Sequence, residues 1–206
     1  MLKNWELFRS SILAGICIAI GSTVYLSCSN KYIGTALFGI GLFLICTYGW
    51  SLFTGKIGYI VKNRKQYNLL YYIDIWLGNL VGCASIVLPL RIAKPDIALV
   101  AKELVESKLQ APPPQMIILG IMCGMMMFLA VNTYQIADST LDEIISIFLP
   151  VSVFILCGFE HSIANMCYII YAIEINPDQI INSIFYVIII SLSNAVGSIL
   201  LCSLKG

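Results

Sequence analysis

Apolar side chains run through this sequence in long blocks separated by short polar connections. Six blocks approach or exceed bilayer length, at residues 10–28, 33–53, 69–90, 115–136, 144–171 and 180–203, where a spanning helix needs about 20 apolar residues. Two-residue alternation is absent from them, so they predict α-helices and not the strands of a membrane barrel. The first block is long and lacks a small-residue cleavage pattern, and five more follow it, so it reads as a span and not as a secretory leader. The longest polar connection, 91–114, contains "PDIALVAKELVESKL", an amphipathic stretch suited to a helix lying at the interface; "APPP" at 111–114 ends it. No second soluble domain fits, which predicts one transmembrane domain over 1–206.

Two of the blocks are interrupted, and the interruptions match. "GWSLFTGKIGY" (49–59) and "GFEHSIANMCY" (158–168) both begin Gly-aromatic and close on Tyr, at an offset of 109; "GNLVG" (78–82) answers "SNAVG" (193–197) at an offset of 115. The matches divide the chain into a repeat over about 8–92, a connection over about 93–114 and a second repeat over about 115–206. Three spans per repeat is an odd number, so the halves would sit in opposite orientations, with the second and fifth helices broken. Irregular backbone at membrane depth survives only inside protein or along a watery cavity. Half-helix N-termini at such breaks would offer free N–H groups and a positive dipole end to an anion.

Composition supports the membrane and removes most other classes. Of 206 residues, 59% are hydrophobic and 11% charged, with mean hydropathy +0.90; a soluble domain carries about 25% charged residues. A formal net charge of +1 gives no sign of a nucleic-acid partner. The eight cysteines stand singly in or beside apolar runs, without a CxxC pair, and so predict small packing side chains and not a disulfide framework. An N-terminus inside would put Lys3, Arg9, Lys56, Lys62, Arg64, Lys65 and Lys205 on the cytoplasmic side. Lys31, Arg91, Lys94, Lys102 and Lys108 would then lie outside, and the "KNRK" cluster at 62–65 favours this orientation.

His161 is the only histidine, and Glu160 precedes it. The plain reading is a core histidine hydrogen-bonded between helices; the functional one rests on the cost of ionisable groups inside a membrane. Adjacent residues cannot share a helical face, so Glu160 is expected to face the interior and pair with backbone N–H groups of the break. A zinc-protease helix would need a second His four residues on, where Asn165 stands, and no GxSxG occurs. Neither an enzyme nor a cofactor is expected. Lys108 reads as an interfacial lysine, and Leu52, Phe53 and Phe154 as packing.

"GFEHSIANM", together with "LFTG" in the matching break, closely resembles the formate/nitrite transporter family over nearly the whole chain. The resemblance implies pentamers of six-helix protomers with an aquaporin-like fold, each protomer carrying its own pore in the cell's inner (plasma) membrane. It makes His161 the central pore histidine and Thr54 the threonine facing it. Leu52 and Phe154 become constrictions on either side, with Phe38 lining the pore. Asn165, Glu160 and Lys108 match the family's polar set, with Lys108 in the outer vestibule.

Three departures stand out. The family's amphipathic N-terminal helix is expected to be missing, since only about nine residues precede the first block, and the connections are short. Sixteen residues beyond Lys108, where the family places a pore-facing asparagine, stands Gly124. Lys56 after "FTG" is unusual: it could add charge near the inner mouth or snorkel to the headgroups. The expected function is a channel for small monovalent anions of weak acids, formate first and proton-linked. Hydrosulfide or nitrite, which the Gly124 change could suit, is the alternative substrate. An aquaporin-type channel for neutral solutes and a non-transporting anchor subunit are the alternatives of other classes.

Overall fold

A computed structural model describes residues 2–62, 68–173 and 176–205; Arg64 and Lys65 of the basic cluster fall outside these. The described residues are helical, without strands. In chain order the helices are α1 (Leu2–Ser27), α2 (Lys31–Tyr48), the short α3 (Phe53–Lys56) continued by a 3-10 turn (Ile57–Ile60), α4 (Leu69–Ala93), α5 (Pro95–Leu109), α6 (Pro113–Tyr134), α7 (Thr140–Leu156), α8 (Ser162–Ala172) and α9 (Pro177–Leu204). Five of them, α1, α2, α4, α6 and α9, are long and apolar enough to cross a membrane. The apolar block at 144–171 is divided between α7 and α8, neither of which reaches that length alone.

The starts and stops follow local chemistry. Side chains of Asn30, Asn68, Ser139 and Asn176 accept backbone N–H bonds at the first turns of α2, α4, α7 and α9, which replaces partners a helix start lacks. The stops of α2 and α7 are the same device used twice. Gly49 and Gly158 both sit at φ 68°, a left-handed conformation that side chains disfavour. The next amide then reaches back, Trp50 N–H to the Ile45 carbonyl at 2.9 Å and Phe159 N–H to the Phe154 carbonyl at 2.8 Å, closing a Schellman stop.

Packing repeats as well. The helix α1 lies against α4 and α2, α6 lies against α9 and α7, and α2 meets α7 between them. Four glycines let the paired helices touch backbone to backbone. A Cβ at Gly15 would collide with the Asn79 carbonyl, at Gly82 with that of Ile12, at Gly124 with that of Asn194, and at Gly197 with that of Ile121. Small residues at such crossings are how helices approach closely in lipid. The amphipathic α5 packs through Ile97, Ala101 and Val105, which are buried, and its main neighbour is α8. It therefore serves as a cover over α8.

Candidate functional site

The two breaks meet in the middle of the molecule. Thr54, in α3, places Oγ1 3.0 Å from Nε2 of His161, which caps α8, and both side chains are buried. The His161 Nδ1 accepts the Ala164 N–H at 3.0 Å, so a neutral ring carries its proton on Nε2 and donates it to Thr54. A second proton on Nδ1 would displace the cap from the start of α8. The ring also stacks on Phe154, with centroids 5.6 Å apart, and Phe154 meets Phe38 edge-on at 5.8 Å. Leu52, the residue before α3, is buried too.

Each break is held by an asparagine that sequence reasoning passed over. Asn79, in α4, accepts the Phe53 N–H at 2.9 Å and donates to the carbonyls of Ser11 and Ser51 at 2.8 and 2.9 Å. Asn194, in α9, accepts the Ser162 N–H at 2.9 Å and donates to the carbonyls of Gly120 and Glu160 at 2.8 and 2.7 Å. The signal was present, since both residues lie inside the repeated "GNLVG" and "SNAVG". These bonds, with the histidine cap, occupy N–H groups that the sequence led one to expect free for an anion. Leu52 offers α3 no side-chain cap at all.

Among the described residues the Glu160 carboxylate takes no backbone N–H, contrary to the expectation from sequence. Its two oxygens take the Lys108 ammonium at 2.6 and 2.8 Å, and Asn165 Nδ2 donates to it at 2.9 Å. Lys108 reaches it from the last turn of α5. The pair is mostly buried, with side chains 17% and 9% exposed, so it is a charge-assisted bond of the stronger kind. Its cation is already matched.

Open space lies on both sides of the Thr54–His161 contact. A small cavity of about 100 Å³ is lined by Lys108, Phe154, Phe159, His161, Asn165 and Tyr168, among others. A wide one of about 740 Å³ is lined by Trp50, Leu52, Lys56, Tyr59, Tyr134 and Glu143, among others. Leu52 lines the wide cavity, and Phe154 and His161 line the small one. Phe38 and Phe53 are buried and line neither cavity. Gly124 lines neither as well, because its open side faces the α9 backbone at Asn194. Counting from Lys108 therefore misplaced it. No side chain fits at that crossing, so the lack of an asparagine there says nothing of the substrate.

A family model described as formate/nitrite transporter matches residues 1–205. Formate channel FocB of Escherichia coli strain K12 is 30% identical over 194 residues, covering 82% of this chain and 67% of the relative. Formate channel FocA of the same strain is 29% identical over 180 residues, covering 77% and 63%. The nitrite transporter NirC of Salmonella typhimurium strain LT2 is 28% identical over 174 residues, covering 76% and 64%. The chain thus spans about two thirds of the length of these relatives. The solved structure of a pentameric formate channel with formate bound superposes with a TM-score of 0.84 at 26% identity, covering 98% of this chain and 96% of that one.

Proposed function

The chain belongs to the formate/nitrite transporter family, and on that premise we propose that it is a channel for small monovalent anions of weak acids, formate first, moved together with a proton. The observation that carries the reading is the buried Thr54–His161 contact at 3.0 Å, with His161 and Phe154 lining one cavity and Leu52 lining the other. A bare anion is costly to bring past apolar side chains. Near the small cavity, the Lys108 ammonium, shared with Glu160, offers the anion a charge-assisted hydrogen bond. Once protonated, the weak acid crosses the apolar rings as a neutral species, with His161 Nε2–H and the Thr54 hydroxyl offering hydrogen bonds midway. Lys108, Glu160 and Asn165 form the polar set of one mouth; Leu52 and Phe154 supply the apolar walls, with Phe38 packed edge-on against Phe154.

The proposed architecture is six crossings in two inverted repeats of three, α2–α3 and α7–α8 being the broken second and fifth crossings of an aquaporin-like fold. Support comes from the matched glycine stops and asparagine ties at offsets of 109 and 115. The proposed assembly is a homopentamer in the inner (plasma) membrane, as the pentameric neighbour suggests, with the N-terminus cytoplasmic and the wide cavity facing the cytoplasm.

Uptake of formate, nitrite and hydrosulfide into proteoliposomes carrying an entrapped pH dye tests this. Formate uptake is expected to be the fastest of the three and to rise as the external pH falls. Faster nitrite or hydrosulfide uptake would replace the substrate. Flux insensitive both to pH and to Lys108→Ala would make the protein a neutral-solute channel.

A further inference from the structure

The wide cavity holds a cation that the transport scheme above does not use. Lys56 ends α3, and its amide donates to the Leu52 carbonyl at 3.1 Å, so it lies one helical turn, about 5 Å, beyond the constriction. It is half-buried and lines the cavity of about 740 Å³. Among the described residues no side-chain hydrogen bond or ion pair holds its ammonium, whereas Lys108 is held at 2.6 Å by Glu160. Glu143, on the first turn of α7, lines the same cavity without pairing with Lys56. The hydroxyls nearby are engaged elsewhere, Tyr59 with Gln135 at 3.2 Å and Tyr134 with Thr47 at 3.2 Å. At the offset of 109, Lys56 stands where the other break has Asn165, and each of the two lines its own cavity.

A half-buried ammonium lacking a counter-ion is left uncompensated by the protein. We propose that Lys56 is the anion-docking residue of the wide mouth: a small monovalent oxyanion pairs with its ammonium one turn before passing Leu52. The inference rests on the transport reading above. It sets the charge of the substrate, because a divalent anion gains one ammonium and faces Glu143 besides. It also makes the mouths unequal. An anion arriving at Lys108 competes with Glu160, and an anion arriving at Lys56 displaces no paired side chain among the described residues.

The test uses the full chain in right-side-out and inside-out membrane vesicles, with initial formate uptake measured against concentration. Lys56→Gln is expected to raise the half-saturating concentration about fivefold when formate is presented to the wide mouth, the range of a partly exposed ion pair. Uptake from the other face and the maximal rates should change less than about twofold. Lys56→Arg should behave as the parent does. Unchanged half-saturation in Lys56→Gln, or an equal rise from both faces, overturns the proposal; a parent chain that moves no small anion overturns the transport reading instead.

Cys46 lines the same cavity as Lys56 and gives a readout independent of transport. Its adducts with an anionic and a cationic methanethiosulfonate, read by peptide mass spectrometry, should form in a ratio that drops at least about threefold in Lys56→Gln. A ratio that does not move also overturns the proposal. Salt of 1 M, where charge is screened within about 3 Å, should bring the parent to the variant's ratio.

Discussion

At residues 49–53 and at 158–162 the chain does the same mechanical work with different chemistry. In each break a left-handed glycine stops a helix, the next amide bonds back to it, and an asparagine from a distant helix seizes the restart. Where one break then has Leu52, the other has His161. The leucine leaves its helix start without a side-chain cap, and the histidine caps its own through Nδ1 while turning Nε2 toward Thr54. Scaffold and chemistry are therefore separable: the ties are common to both breaks, and the polar apparatus of His161, Glu160 and Asn165 sits on one of them.

The equivalence of the ties can be broken at its closest points first. Gly15→Ala and Gly124→Ala each drive a Cβ into a carbonyl of the partner helix, that of Asn79 and that of Asn194. Each should cost about 3 kcal/mol or more, seen as loss of the folded protein on gel filtration after mild heating. If Gly124→Ala were as stable as the parent, that side of α6 would be free of α9 and the position could face the path after all.

Next come the asparagines. Asn79→Ala and Asn194→Ala each strand one N–H and two carbonyls in the interior, and each should lower stability by about 2–3 kcal/mol. Thermal unfolding in detergent should show the two losses agreeing within about 1 kcal/mol. A silent Asn79→Ala beside a damaging Asn194→Ala would mean that the breaks only look alike.

The smallest effect on stability and the sharpest on function belong to His161→Phe. Loss of the Ala164 cap should cost about 1 kcal/mol, while pH-dependent formate flux in proteoliposomes should be abolished. Leu52→Ala, at the matching position, should leave that pH dependence in place. Unchanged flux in His161→Phe would remove the histidine from the mechanism and leave it a helix cap.

How much of this was legible depends on the range of the interaction. The breaks could be read because glycines and polar residues interrupt an otherwise apolar run, and because the interruption occurs twice. The asparagines were visible as repeats, but their partners are carbonyls such as that of Ser11, 68 residues from Asn79, which no local pattern encodes. Glu160 was rightly placed inside and wrongly paired. Its lysine stands 52 residues away and arrives because α5 folds onto α8. Gly124 was misread for a related reason, since spacing along a helix does not say which face a crossing will cover. Of the free N–H groups expected at the breaks, those of Phe53, Ser162 and Ala164 are taken, because a buried amide seldom stays unpaired when a side chain can reach it.

The asparagine ties have a kinematic consequence. Asn79 joins the α3 restart to α1 as well as to its own helix, and Asn194 joins the α8 restart to α6 in the same manner. Neither restart can swing as a hinge without dragging two full-length helices, whose backbones already touch at Gly15 and Gly124. The centre of the molecule is thus a clamped truss with four fixed joints. A side chain such as Leu52 or Phe154 turning about its own bonds disturbs none of these joints.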